Sequence, residues 1–547
     1  MTQPSLFTGF PALLLGITLG ISSDTFAAPG SVDTSFGASG AALVALSSGD
    51  DLAYGITVQP DRKVLVAGTS SAGDFALLRL QPNGLPDPVF GNAGKAIHSF
   101  GQFELARSVV VLGDGRIVAG GSGLTAGGSR DFAVIRCLPN GSLDPQFGTG
   151  GLVTTDLQGG FNDHAFCMAV QPDGKIIVAG YHRLGIAMVR YTAAGELDAG
   201  FGSGGKVFSS AITGPEEQAH AIAVQPDGKI LISGESRIAG NTDFLLARFN
   251  TDGTPDPGFG SGGKAVPPDW FGEGFDTANS LLLLPDGRML TGGAAGQNFA
   301  VARYSSAGVL DQSFGSIGTV EIDFGNTDDT VNGLVLQTDG KIVLAGTTRL
   351  NARNYFALIR LTTTGSVDTG FGSGGAVLTA VTAVSDTARC ICQQSDGKLL
   401  VAGDAGLLNN KEFAVVRYDS GVPGLTLLES WRQTYFGVTA GTGAAANSAD
   451  PDNDGLPNIV EFGFGLNPVL PGSSQLPAPQ FAGGTQVISF TQPWNVSGIT
   501  YIAEWSPSLA ENSWTALPDT GTGTQHRFSF PVAGKNRWFS RIRITVP

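Results

Sequence analysis

The 547-residue sequence predicts an all-β protein: a seven-bladed β-propeller, then a short helix with an acidic loop, then a small β-sandwich. Three observations carry this prediction. One pattern recurs seven times at 53 to 59 residues; every copy holds four short β-type runs; and the period stops after Arg417, where the composition changes. Four strands per unit at such a period is the pattern of propeller blades. Glycine at 80 of 547 residues and charged residues at only 14% suit a turn-rich β protein.

The chain opens on an apolar run, Phe10 to Ile21, followed by Thr25-Phe26-Ala27-Ala28-Pro29. Small residues after an apolar stretch suit cleavage behind Ala27 or Ala28, so residues 1–28 read as a secretory signal peptide. The mature protein is then expected to be secreted or held at the cell envelope. No Lys or Arg precedes Arg62, so only the terminal amine supplies the usual positive leader charge. The run is short for a bilayer span, and no later segment reaches transmembrane length.

The repeat is marked by Pro-Asp-Gly-Lys turns, whose aspartates stand at Asp61, Asp114, Asp173, Asp227, Asp286, Asp339 and Asp396. Proline presets one turn residue and glycine accepts positive φ, so each marker folds two strands into a hairpin. The first copy has Arg62 where the others have glycine, which predicts a slightly strained turn. In the unit around Asp227 the strands fall at Lys206–Phe208, Ala221–Val224, Ile230–Ile232 and Phe244–Phe249. Small residues crowd the run before each hairpin (Gly55, Ser108, Cys167, Ala221, Ser280, Gly333, Cys390), which places that strand nearest the axis. A glycine recurs seven residues past each marker, from Gly68 to Gly403, as a strand end with positive φ or a close backbone approach requires.

A second recurrence pairs charges. Arg79, Arg136, Arg190, Arg248, Arg303, Arg360 and Arg417 end the last strands, while Asp33, Asp87, Asp144, Asp198, Asp256, Asp311 and Asp368 precede the Phe-Gly turns. A partly buried ion pair in every unit is the reading, because an unpaired buried guanidinium is costly. No Phe-Gly turn follows Arg417 at the repeat's own spacing, so the N-terminal Phe36-Gly37 must complete the seventh blade and close the ring.

Segments such as Ala223-Val224-Gln225-Pro226-Asp227-Gly228-Lys229-Ile230 and Gly141-Ser142-Leu143-Asp144-Pro145-Gln146-Phe147-Gly148 resemble the bacterial delta-60 repeat family. The resemblance covers residues 32–420 and implies an exported bacterial propeller. It brings no catalytic residues.

Past the repeats, residues 421–470 begin with a predicted amphipathic helix, Leu425 to Phe436, presenting Leu427, Leu428, Trp431 and Tyr435 on one side. Then Asp450-Pro-Asp452-Asn-Asp454-Gly455-Leu456-Pro-Asn458-Ile-Val-Glu461 places carboxylates at positions 1, 3, 5 and 12, glycine at 6, a backbone carbonyl at 7 and a polar residue at 9. Hard oxygen ligands around a glycine turn suit Ca2+, so Asp450, Asp452, Asp454, Leu456, Asn458 and Glu461 are the candidate ligands. Pro457 and the lack of a second loop resemble the single calcium loops of dockerin or thrombospondin type 3 modules, which implies a structural clamp. Residues 480–547 alternate in strand fashion and predict the β-sandwich. Its Trp494, Trp505, Trp514 and Trp538 suit core packing, or a carbohydrate platform.

The net charge of −15 without a basic cluster excludes steering toward nucleic acid. The five histidines show no metal-type spacing, and no nucleophile elbow, phosphate loop or dinucleotide fingerprint occurs. Asp163-His164 near Cys167 is the one conceivable nucleophile system; Cys137 and Cys167 could pair, though small buried side chains is the plainer reading of both. The informative variable slot lies seven residues before each marker: Tyr54, Arg107, Phe166, His220, Asn279, Asn332 and Arg389. These are the candidate ligand-binding residues, and a drifting solvent position is the alternative. The sequence thus reads as an exported, non-enzymatic scaffold for an unknown glycan or protein ligand. The rival reading, a secreted polysaccharide hydrolase or lyase, requires paired carboxylates in the channel.

Overall fold

The computed structural model describes residues 28–545 apart from 125–127, 184, 210–215, 239–240, 266–273, 325–327, 408, 437, 470–471, 473–475, 494–495, 497–498, 509 and 534–538. The expected leader, Trp494, Trp538 and the Leu427 side chain lie outside what is described.

Seven four-stranded antiparallel sheets form the ring. In the first blade the strands are Leu52–Val58, Val64–Thr69, Phe75–Leu80 and Lys95–His98, hydrogen-bonded in chain order. The first strands of successive blades touch one another all the way round, the seventh (Asp386–Gln393) against the first (Leu52–Val58), so these strands line the axis. In the first blade their neighbours, Val64–Thr69 and Phe75–Leu80, are buried along their whole length. Both faces of such strands pack against adjacent blades, which is why they read as continuous apolar runs. Leu65, Ala67 and Leu77, for example, share one core with Ala106, Val109 and Ile117 of the next blade.

Closure follows the sequence expectation. The strand Ala41–Val44 joins Asn410–Tyr418 as the outermost strand of the seventh blade, with Ala41 opposite Val416 and Val44 opposite Phe413. Arg417 reaches back to Asp33 at 2.7 Å, the same contact that other blades make within one unit.

That contact recurs in every blade. Nε of each arginine lies 2.7–2.8 Å from its aspartate. The guanidinium also stacks 4.4–4.8 Å over the phenylalanine of the Phe-Gly turn. Its Nη1 donates to a carbonyl of the following blade, as from Arg79 to Pro139 and from Arg303 to Thr363. One side chain therefore ties a turn to its strand and one blade to the next. Arg62 adopts φ 64° in the marker turn, where the glycines of the other copies sit at 80–86°. A non-glycine residue at positive φ is costly, in line with the expected strain.

After the ring come helix α1 (Leu427–Phe436) and helix α2 (Asn458–Phe464), then two three-stranded sheets. One sheet orders Gln480–Ala482, Thr485–Thr491 and Gln525–Pro531; the other orders Thr515–Ala516, Thr500–Ser506 and Phe539–Thr545. Tyr501, Ala503 and Phe528 form their core, with Phe464 of α2 packed against it. Trp431 of α1 meets Phe462 of α2 at 5.8 Å and lines a cleft against Pro60 and Gln394 of the ring. No described helix is long and apolar enough to cross a membrane.

Candidate functional site

The axial strands share one irregularity. In all seven blades the register slips by a residue: between Ala53 and Gly55, Ala106 and Ser108, Ala165 and Cys167, Ala219 and Ala221, Ala278 and Ser280, Val331 and Gly333, and Ala388 and Cys390. The extra residue is Tyr54, Arg107, Phe166, His220, Asn279, Asn332 or Arg389. A bulged residue drops out of the ladder, and its side chain is re-aimed. All seven line one cavity of about 560 Å³ at the axis.

The recurrent glycines explain how the bulge fits. A Cβ on Gly68 would lie 2.0 Å from the Leu52 carbonyl oxygen, one on Gly234 1.8 Å from that of Gln218, and one on Gly293 1.6 Å from that of Thr277. None of the seven has positive φ. Of the two expectations for these glycines, close backbone approach is the one realised.

Two walls of the cavity differ. On one, Arg107 places Cζ 4.3 Å from the Tyr54 ring centroid and 5.3 Å from that of Phe166, and Arg389 lies 4.8 Å over Tyr54. Arg389 also donates from Nε to Asp404 at 2.6 Å. On the other wall the His220 Nδ1–H donates to Asn279 Oδ1 at 3.1 Å. Asn279 Nδ2 donates in turn to the Val331 carbonyl at 3.2 Å, and Asn332 Nδ2 to that of Ala388 at 2.8 Å. Burial, with Arg107 adding to it, lowers the His220 pKa, so the ring is a neutral hydrogen-bonding group. No carboxylate is among the described residues lining the cavity.

A family model matches seven segments of this chain. It is the domain of unknown function DUF5122 β-propeller, and the segments are 59–90, 112–147, 171–201, 225–259, 284–314, 337–371 and 394–421. Every arginine of the ion-pair belt falls inside a matched segment, while every bulged residue stands five positions ahead of one. No curated protein matches. Among solved structures the chain is similar to Sqt1 from Chaetomium thermophilum, at 12% identity and a TM-score of 0.38, covering 69% of this chain and 98% of that one. It is similar also to YCF48 bound to D1 peptide, at 11% and 0.39 with 73% and 99% covered, and to a putative gluconolactonase, at 12% and 0.31 with 71% and 94% covered. Likeness at this level carries no functional argument.

One recurrence escaped the sequence reading. Ten residues before each marker stands an acid, Asp51, Glu104, Asp163, Glu217, Asp276, Asp329 or Asp386, and all seven are buried. Most accept backbone N–H groups from the loop entering the axial strand, as Asp51 does from Leu46 at 2.6 Å and Asp386 from Val381 at 2.8 Å. Glu217 instead pairs with Lys264. The signal was a fixed offset, hidden because both Asp and Glu fill the slot.

The nucleophile idea fails on geometry. Asp163 bonds His182 Nδ1 at 2.5 Å, not His164, and is spent holding its loop. The Cys167 thiol faces the Ala179 carbonyl at 3.6 Å, and burial pushes its pKa far up, which suppresses the thiolate. All four cysteines are free, so Cys137 and Cys167 do not pair. Of the described tryptophans, Trp505 stacks on Phe530 at 5.5 Å and Trp514 lies 4.0 Å under Arg541, so neither presents an empty pair of faces.

In the acidic loop, carboxylate oxygens of Asp450, Asp452 and Asp454 all lie within 4.8 Å of one another. Glu461, on α2, is wholly buried and neither of its oxygens has a hydrogen-bond partner; Asp452 Oδ2 and Asn458 Oδ1 are likewise buried and unpartnered. Asn458 spends its Nδ2 on the Ala444 and Ala446 carbonyls, which holds its Oδ1 in place as an acceptor. Burial and then Asp452, Asp454 and Asp450 push the Glu461 carboxyl up to about 7. The Asp450 and Asp454 carboxylates accept backbone N–H groups, but the buried oxygens of Glu461, Asp452 and Asn458 gathered beside them have no donor, and such an oxygen set suits a hard cation.

Proposed function

We propose that the protein is an exported, non-enzymatic binding scaffold whose ligand enters the axial cavity, with a C-terminal segment clamped by Ca2+. The observation that carries the binding reading is the row of seven bulges. Each costs its blade ladder hydrogen bonds, each is made possible by a dedicated glycine, and the seven residues so presented are of five different kinds. A position that mattered only for closure would keep one chemistry. The mixed polar and small lining supports binding over polysaccharide hydrolysis, which uses two carboxylates at ~5–9.5 Å. For the clamp, Asp450, Asp452, Asp454 and Glu461 would supply charge, Leu456 its carbonyl and Asn458 an amide oxygen.

The test is a screen of the full chain on glycan and polypeptide arrays with calcium or with chelator. Binding that survives chelation but is lost when His220 and Arg107 are both replaced by Asn supports the assignment. Binding indifferent to those replacements overturns it. For the clamp, calcium should raise the melting temperature of wild type but not of Asp452→Asn; equal responses would remove the ion from the proposal.

A further inference from the structure

The two arginines of the cavity differ in what neutralises them. Arg389 has Asp404, which Lys411 shares at 2.7 Å. Arg107 is half-buried, and among the described residues its guanidinium meets no carboxylate and no hydrogen-bond acceptor. Apart from the Tyr54 phenol, the charged groups that bear on it, Arg389 and Arg130, are cations, and burial disfavours its charge. In a chain with 47 acidic residues against 32 basic ones, a counter-ion was easily placed, as it was for each of the seven belt arginines. The guanidinium planes are taken up by aromatic rings, which leaves the N–H edge as the free bonding group. That edge matches a carboxylate in geometry and charge.

We infer that the cavity takes a carboxylate of a polypeptide ligand, anchored on Arg107. This deepens the binding reading above and rests on it. A polypeptide is favoured over an acidic sugar because no aromatic face is open for a pyranose. Tyr54 carries Arg107 and Arg389; Phe166 carries Arg107 and meets His220 edge-on at 5.4 Å. Across from Arg107, His220 and the two asparagines offer the hydrogen-bonding wall that peptide N–H and C=O groups need. About 560 Å³ accommodates a chain end or a few residues, within the usual range of small-ligand pockets. The carboxylate comes from a chain terminus or from an Asp or Glu side chain, and the experiment separates these.

Full-length wild type, Arg107→Asn and Arg107→Lys are immobilised and exposed to pooled short random peptides of three kinds. One pool has free carboxyl termini and no Asp or Glu, one is amidated with Asp and Glu, and one is amidated without either; oligogalacturonate is the fourth probe. Asn occupies the same slot in the fifth and sixth blades, so Arg107→Asn suits the scaffold, and an unchanged melting temperature verifies the fold. We expect the first or second pool to be enriched at least ~tenfold over the third, lost in Arg107→Asn and partly kept in Arg107→Lys, where charge survives without the fork. Enrichment of the first pool assigns a terminus, and of the second a side chain. Equal enrichment of the neutral pool overturns the carboxylate while leaving the cavity a binding site. Enrichment unchanged in Arg107→Asn, or oligogalacturonate binding alone, overturns the inference. No enrichment of any probe overturns it together with a peptide-binding role for the cavity.

Discussion

Where the third and fourth strands of each blade meet, an arginine, an aspartate and a phenylalanine adopt one geometry seven times. At the axis, seven bulged positions of identical backbone carry five different side chains. Both regions come from the same repeat. The belt joins blade to blade, so any departure would be felt by two sheets and uniformity is enforced by packing. The bulged residue has left the ladder, so the backbone asks little of it and its chemistry is open to another demand. Invariance in a repeat protein thus marks what the ring needs to close, and variation on a costly backbone feature marks what it presents.

The sharpest way to break this contrast is at the belt. Arg190→Ala removes the buried partner of the half-buried Asp198 and the bond to the Thr251 carbonyl of the next blade. We expect a loss on the order of 3 kcal/mol, read as a lowered melting temperature. Lys175, 3.2 Å from Asp198, keeps the loss from being larger. Next, Gly293→Ala puts a Cβ where the Thr277 oxygen sits. The bulge at Asn279 must shift, at a cost of about 1–3 kcal/mol, and hydrogen exchange should speed up in Thr277–Leu283.

The buried acids refine the comparison through pH. Burial raises the Asp276 carboxyl from 3.8 to about 6. Between those values the folded state holds more protons than the unfolded one, so this group's contribution is fullest below about pH 4 and is lost as pH rises through 6. Asp276→Asn keeps an acceptor for the Gly296 N–H. The stability gap between variant and wild type should therefore shift in the variant's favour from pH 4 to 7 in parallel melts; a constant gap would contradict the burial argument. The smallest change belongs to the ring: His220→Asn copies the next blade and should alter stability by only about 0.5 kcal/mol. A drop matching that of Arg190→Ala would erase the distinction between belt and ring.

Much of the scaffold was legible in the sequence because repetition supplies its own controls. The marker turns, the axial strand, the Arg–Asp pairs and the closing N-terminal strand each recur at fixed offsets. The bulge was not legible, since one extra residue in every copy leaves the period unchanged; Tyr54 and its equivalents stood out as variable, not as re-aimed. The stacking of each belt arginine on a phenylalanine had a signal in the constant spacing from Arg79 to Phe90 and from Arg136 to Phe147. Asp163 misled because its neighbour in sequence, His164, starts a strand while its partner in space, His182, ends the next one. In the acidic loop the ligand pattern could be read directly, but the burial of Glu461 could not, because it depends on how α2 packs.

The pairing of Ala41–Val44 with Asn410–Tyr418 has a consequence for how the molecule is made. About 370 residues separate the two partners, so the seventh sheet cannot be finished until almost the whole ring has left the ribosome. Until then the growing chain carries an open sheet edge and an unmatched Asp33, and non-local pairing of this kind is slow. Assembly should therefore end in one late, concerted step, with truncated chains lacking the last strand remaining prone to stick to one another.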